Sequence, residues 1–164
     1  MSQNSETLSI ERALLRHTLA TVAYRGSKAL RNAPESFANY GSGAGGRTPA
    51  QILAHLGDLY DWAESLVAGK QVWKDSQPLS WEKEVERFFA ALKKFDDYLS
   101  SDAEMHESPR ALFQGPIADS LTHIGQIAML RRIAGCAIKG ENYHQAGIVA
   151  GRVGAEQAAP RREF

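Results

Sequence analysis

Residues 117–132 read IADSLTHIGQIAMLRR, and as a helix they place Asp119 and His123 one turn apart on one face. Gln126 follows on the same stripe, then Leu130 and Ile133. A carboxylate, an imidazole and an amide therefore lead into apolar positions. An ionised Asp buried without a partner costs several kcal/mol. The stripe demands a cation, a hydrogen-bond network or water. A metal ion would satisfy Asp119 and His123 together, and the remaining ligand then has to come from elsewhere in the chain.

The second helix supplies a candidate. Thr48 as cap and Pro49 at the first helical position give a strong start signal. Ile52, His55, Leu56, Leu59, Ala63 and Leu66 then follow helical periodicity, and Gly69 stops it. His55 falls inside that apolar stripe, whereas Asp58, Asp61 and Glu64 fall largely on other faces and read as solvated charge. His55 with Asp119 and His123 makes two imidazoles and one carboxylate, a facial ligand set that leaves positions open for water and substrate. Zinc, nickel, manganese and ferrous iron all suit it. The alternative is an Asp–His hydrogen bond satisfied in a core.

The other periodic segments complete an all-α chain. The pattern predicts helices over about 5–31, 48–68, 80–99 and 116–138, with an irregular tail over 140–164, all within one domain spanning 1–164. Ser5 or Thr7 can cap the first, and Leu8, Leu15, Leu19 and Val22 recur along it. Ser80 can cap the third, whose Trp81, Val85, Phe88, Phe89, Leu92, Phe95 and Leu99 read as core. Gly115-Pro116 reads as the start of the fourth. Four helices and a tail imply a four-helix bundle, a fold that builds metal sites from facing helices. Tyr143, Ile148, Val149 and Val153 favour a tail strapped onto the bundle or onto a second subunit, with His144 as an accessory ligand candidate. His17 and His106 read as peripheral.

Composition removes several classes. Lys and Arg total 19 against 19 Asp and Glu, so no electrostatic footprint for nucleic acid exists in the summed charge. The single Cys136 excludes an intrachain disulfide and a cysteine zinc cluster, and reads as a structural thiol in an apolar helix end. The polar, acidic start is unlike a secretory signal, and no apolar run is long enough to cross a bilayer. A cytoplasmic protein is expected. The glycine-rich stretch over 37–46, FANYGSGAGG, lacks the lysine and spacing of a phosphate-binding loop and reads as a linker or lid. Arg47 beside it is a candidate for receiving an anionic substrate.

Two of these stretches resemble a known family. TPAQILAHLGDLYDWA looks like the second helix of the DinB/YfiT-like superfamily, with its metal-binding His at His55, and THIGQIAMLRRIAG looks like that family's HxGQ…LR…G signature. The more usual pattern has histidines four apart before the Gly-Gln; here the first of those positions is Asp119 and the second His123. The substitution keeps a ligand and makes the site more anionic. The tail looks like that of a bacterial subgroup of the superfamily. The resemblance implies a four-helix bundle holding one divalent metal ion, in a superfamily that includes thiol-dependent S-transferases and a thiol-dependent isomerase. An attacking hydroxide on the same ion would make the protein a hydrolase instead. The expected partners are a small-molecule substrate, with a low-molecular-weight thiol as cosubstrate, and a second copy of the chain in a homodimer. Gln126 would support the ligand shell by hydrogen bonding. A metal-stabilised, non-catalytic dimeric module is the competing expectation.

Overall fold

The computed structural model describes residues 3–41, 43 and 45–164. It is all-helical, with α1 (Gln3–Leu30), α2 (Pro49–Val67), α3 (Trp81–Ser100), α4 (Pro109–Leu112) and α5 (Ala118–Ile133). A π-turn over Phe113–Ile117 joins α4 to α5 without leaving helical backbone, so these three segments form the fourth helix of a bundle. None of the described helices is long and apolar enough to cross a membrane.

Cross-helix pairs fix the directions. Arg16 meets Asp96 and Gly26 lies against Phe88, so α1 and α3 are antiparallel. Asp58 meets Arg87 and Glu64 meets Lys94, so α2 and α3 run the same way. Tyr60 bonds Ser120 while His55 meets His123, which makes α2 and α5 antiparallel. The order is up-down-down-up. Because α2 and α3 are parallel, residues 68–80 must return along the bundle, and extended chain at about 3.3 Å per residue spans a 19-residue helix of about 28 Å. That return lays Trp73 against His55 and Ser76 against Asp58. The topology thereby builds one wall of the site.

Local chemistry explains the ends. The Thr48 hydroxyl accepts from Gln51 N–H at 3.3 Å, and the Gln51 side-chain oxygen accepts from Thr48 N–H at 2.8 Å, a complete capping box with Pro49 next. Gly69 closes α2 at φ 75°, where a side chain would also meet the His106 ring at 3.1 Å. Ser80 occupies the N-cap of α3 without a side-chain bond; Glu84, fully buried, instead accepts from Leu79 N–H. α1 is already helical at Gln3, so Ser5 and Thr7 fall within the helix rather than before it, and Leu8 is exposed.

The fourth helix differs most from its periodicity. It starts at Pro109 behind the Ser108 cap rather than at Gly115-Pro116. Pro116 cannot donate to the preceding turn and its ring would clash there, so the chain widens into a π-turn instead of breaking. At the other end it stops at Ile133, not 138, because Gly135 takes φ 77°. Cys136 is half-buried beyond that end.

Buried Leu19, Val22, Leu53, Leu56, Tyr60, Phe88, Leu92, Phe95, Ile117 and Ile127 form the core between the four helices. The tail packs back onto α1: Val153 is buried, Arg25 lies over the Tyr143 ring at 4.1 Å, and the Tyr24 hydroxyl donates to buried Glu141 at 2.6 Å. Lys28 donates to Glu141 at 2.7 Å and to Glu163 at 2.8 Å.

Arg131 ties the ends of α1 and α5 together. Its buried guanidinium donates to the carbonyls of Ala29, Arg31, Asn32 and Cys136 at 2.8–3.3 Å. The C-terminal carbonyls of a helix carry partial negative charge and lack intrahelical donors. Arg131→Met keeps much of the stem and removes every donor. It should destabilise the protein by about 2 kcal/mol in urea titrations, and a change below about half a kcal/mol would show that water satisfies those carbonyls.

Candidate metal centre

α2 presents His55, and α5 presents Asp119 and His123 one turn apart. One ligand atom from each lies within 4.8 Å of the others. His55 Nε2 stands 3.4 Å from Asp119 Oδ2, and His123 Nε2 stands 3.5 Å from Asp119 Oδ1. The two imidazoles meet edge to face at 4.7 Å between centroids. An ion with bonds of about 2.1 Å in tetrahedral geometry separates its ligand atoms by about 3.4 Å. Small side-chain adjustments therefore suffice to enclose one.

Hydrogen bonding sets the donor set. His123 Nδ1–H donates to Gln126 Oε1 at 2.8 Å, which leaves the lone pair on Nε2, facing a carboxylate oxygen. Two acceptors facing each other need a proton or a cation between them. Burial is the largest influence on His55 and pushes its pKa below the ordinary 6.5; repulsion from Arg47, and then from any proton on His123, adds to this, and Asp119 opposes it. His55 is thus neutral, the ligating form, around neutral pH. The residues fit a divalent ion.

The site differs from a core site in one respect. The His55 and His123 side chains are 15% and 12% exposed, while that of Asp119 is 45% exposed. Asp119 is not a buried charge. The imidazoles line the wall and the carboxylate faces the opening, so a bound ion would remain reachable from solvent.

Two hollows meet here. A groove of about 690 Å³ runs past His123 between Arg47, Ile52, Met129 and Leu130. A polar recess of about 250 Å³ adjoins His55, with Arg47 on its rim. Arg47 borders both. His144 is exposed in a short turn, and His17 and His106 are exposed; none joins the ligand group among the described residues.

Sequence periodicity misplaced Asp58. Only 2% exposed, it accepts from Ser76 N–H, the Ser76 hydroxyl and Arg87, at 2.7–2.9 Å. Its partners come from the 68–80 return and from α3, which no pattern within α2 can reveal. Trp73, which helical periodicity leaves outside every element, packs edge-on against both His55 and Trp62, at 5.6 and 5.7 Å, and shields the ligand. A tryptophan in a largely polar connection is the available signal. No protein-family model matches the chain, and neither does any curated protein or any solved structure.

Proposed function

We propose that this protein is a DinB/YfiT-like metalloenzyme that uses one divalent ion to activate water or a low-molecular-weight thiol against a small-molecule substrate. The observation that carries the reading is the convergence of His55, Asp119 and His123 within 4.8 Å beside a solvent-reachable groove. Two nitrogens and one carboxylate suit zinc, nickel, manganese or iron. When bound, the ion supplies Lewis acidity, which lowers the pKa of a coordinated water or thiol toward neutrality. The protein's own part is positional. Gln126 holds His123 in its ligating tautomer, Trp73 covers His55, and the open flank of Asp119 leaves room for the nucleophile and substrate. A cytoplasmic location accompanies this reading.

The test is elemental analysis of protein purified without a metal-affinity tag, beside Asp119→Ala. About one equivalent of a divalent metal is expected in the wild type and clearly less in the variant, with metal-dependent turnover in ester-hydrolysis or thiol-transfer screens. Failure of the wild type to take up zinc, nickel, manganese or iron would end the reading.

A second reading, a metal-stabilised dimeric module without catalysis, draws on an apolar patch. Ile10, Leu14 and Phe113 are 64%, 65% and 50% exposed where α1 meets the start of the fourth helix. Stoichiometric metal without turnover, in a protein that sediments as a dimer, would favour it.

A further inference from the structure

Arg47 is exposed and makes no hydrogen bond or ion pair with any described residue, unlike the buried or half-buried Arg16, Arg87 and Arg131. It borders both the groove beside His123 and the recess beside His55. A guanidinium with no carboxylate partner is a fitting point of attachment for an anion.

The groove that Arg47 borders is mostly apolar, with Thr122, His123 and Gln126 as its other polar lining residues. Ile52 and Leu130 are 3% and 8% exposed at its base, and Met129 flanks it at 54%. At 690 Å³ it lies within the range of pockets that enclose small organic molecules. Gly125 lines it, and a Cβ built there meets nothing within 4 Å.

From the unpaired Arg47 and the apolar groove beside it, we infer that the groove binds a small amphiphilic monoanion. Its apolar body lies along Ile52, Leu130 and Met129, and its carboxylate-like head meets Arg47 at the edge of the His55–Asp119–His123 group. Gly125 sets the width of body accepted. The inference rests on the metalloenzyme reading only for what the ligand would do there, namely present itself as substrate; the binding is a property of Arg47 and the groove. A guanidinium–carboxylate pair is a charge-assisted bond, the kind that discriminates an acid from its neutral amide.

The test uses octanoate and octanamide, titrated by calorimetry into the full chain as purified and again after dialysis against a chelator. Octanoate should bind about tenfold tighter than octanamide in both preparations. Arg47→Gln should reduce octanoate to the affinity of octanamide. Gly125→Leu should weaken both ligands by about tenfold, with a melting temperature no lower than that of the wild type and unchanged metal content. Equal affinity of the two ligands for wild type would overturn the inference. So would a preference for octanoate that survives Arg47→Gln, or full binding by Gly125→Leu. A wild type that discriminates the two ligands yet takes up no metal would sink the metalloenzyme reading and leave this one standing. Metal uptake without discrimination would do the reverse.

Discussion

Glu141→Ala should destabilise the protein by about 4 kcal/mol, measured as the shift of the urea unfolding midpoint at constant slope. The variant strips the Tyr24 hydroxyl of its acceptor and leaves Lys28, 4% exposed, with Glu163 as its remaining carboxylate. An ammonium withdrawn from water is tolerable only while its partners are present. Lys28→Met with Glu141→Leu should recover much of the loss, because apolar replacement of a whole buried pair is often neutral. A single-variant loss below about 1 kcal/mol would mean that water reaches Lys28 and that the pair is not desolvated.

The same group makes the fold sensitive to alkali. Burial alone would lower the pKa of Lys28, but its bonds to Glu141 and Glu163 outweigh this and raise it above the ordinary 10.5. Burial, followed by the bond to Glu141, raises Tyr24 above its ordinary 10.0. Both groups bind their protons more tightly when folded. Their contribution is complete below those ordinary values and is lost as pH rises through the raised ones. Glu163 works in the opposite sense: the Lys28 bond lowers it from 4.5, so its contribution is present above that value and lost as pH falls. Stability should decline above about pH 10, and the decline should flatten in the doubly apolar variant.

His123→Ala should leave a folded protein that no longer retains a stoichiometric divalent ion through gel filtration. The His123 side chain is 12% exposed and lines the groove, and its Nε2 is held toward Asp119 by the bond from Nδ1 to Gln126. Removing it leaves one nitrogen and one carboxylate, too few ligands for a structured site. Gln126→Leu tests the supporting shell separately. It should weaken affinity by about 10- to 100-fold without abolishing it, the usual consequence of freeing a ligand from its outer partner. His17→Ala, His106→Ala and His144→Ala serve as controls, each exposed and outside the group. Equal metal retention across all five variants would remove the three-residue centre from consideration.

What the sequence revealed depended on how local the physics was. The start of α2 was readable because Thr48, Pro49 and Gln51 act within a single turn. Asp119 and His123 were readable as neighbours because helical spacing alone puts them side by side, and the stripe carrying His55 pointed to the facing helix. The turn at Gly115-Pro116 was misread because a π-turn preserves helical direction where those residues usually end it. Gly135 signalled a helix end, and the apolar residues after it masked that signal. The depth of Asp58 and the role of Trp73 depend on how the 68–80 return crosses α2, which two parallel helices impose and no short pattern encodes. The exposure of Asp119 belongs to the same class: it depends on where the bundle surface falls.

The clasp on Lys28 also bears on the order in which the chain is assembled during synthesis. Its partners lie 113 and 135 residues further along, so at about 10 residues per second α1 waits on the order of ten seconds for them. Until then the lysine stays hydrated, and α1 docks through its apolar stripe and the Arg16–Asp96 pair. Closing so long a loop has its entropic cost late, after the nearer helices have condensed. Contacts formed after the rate-limiting barrier govern how fast a protein comes apart rather than how fast it forms. The clasp therefore acts chiefly as a brake on unfolding, and α1, translated before the other helices, is completed after them.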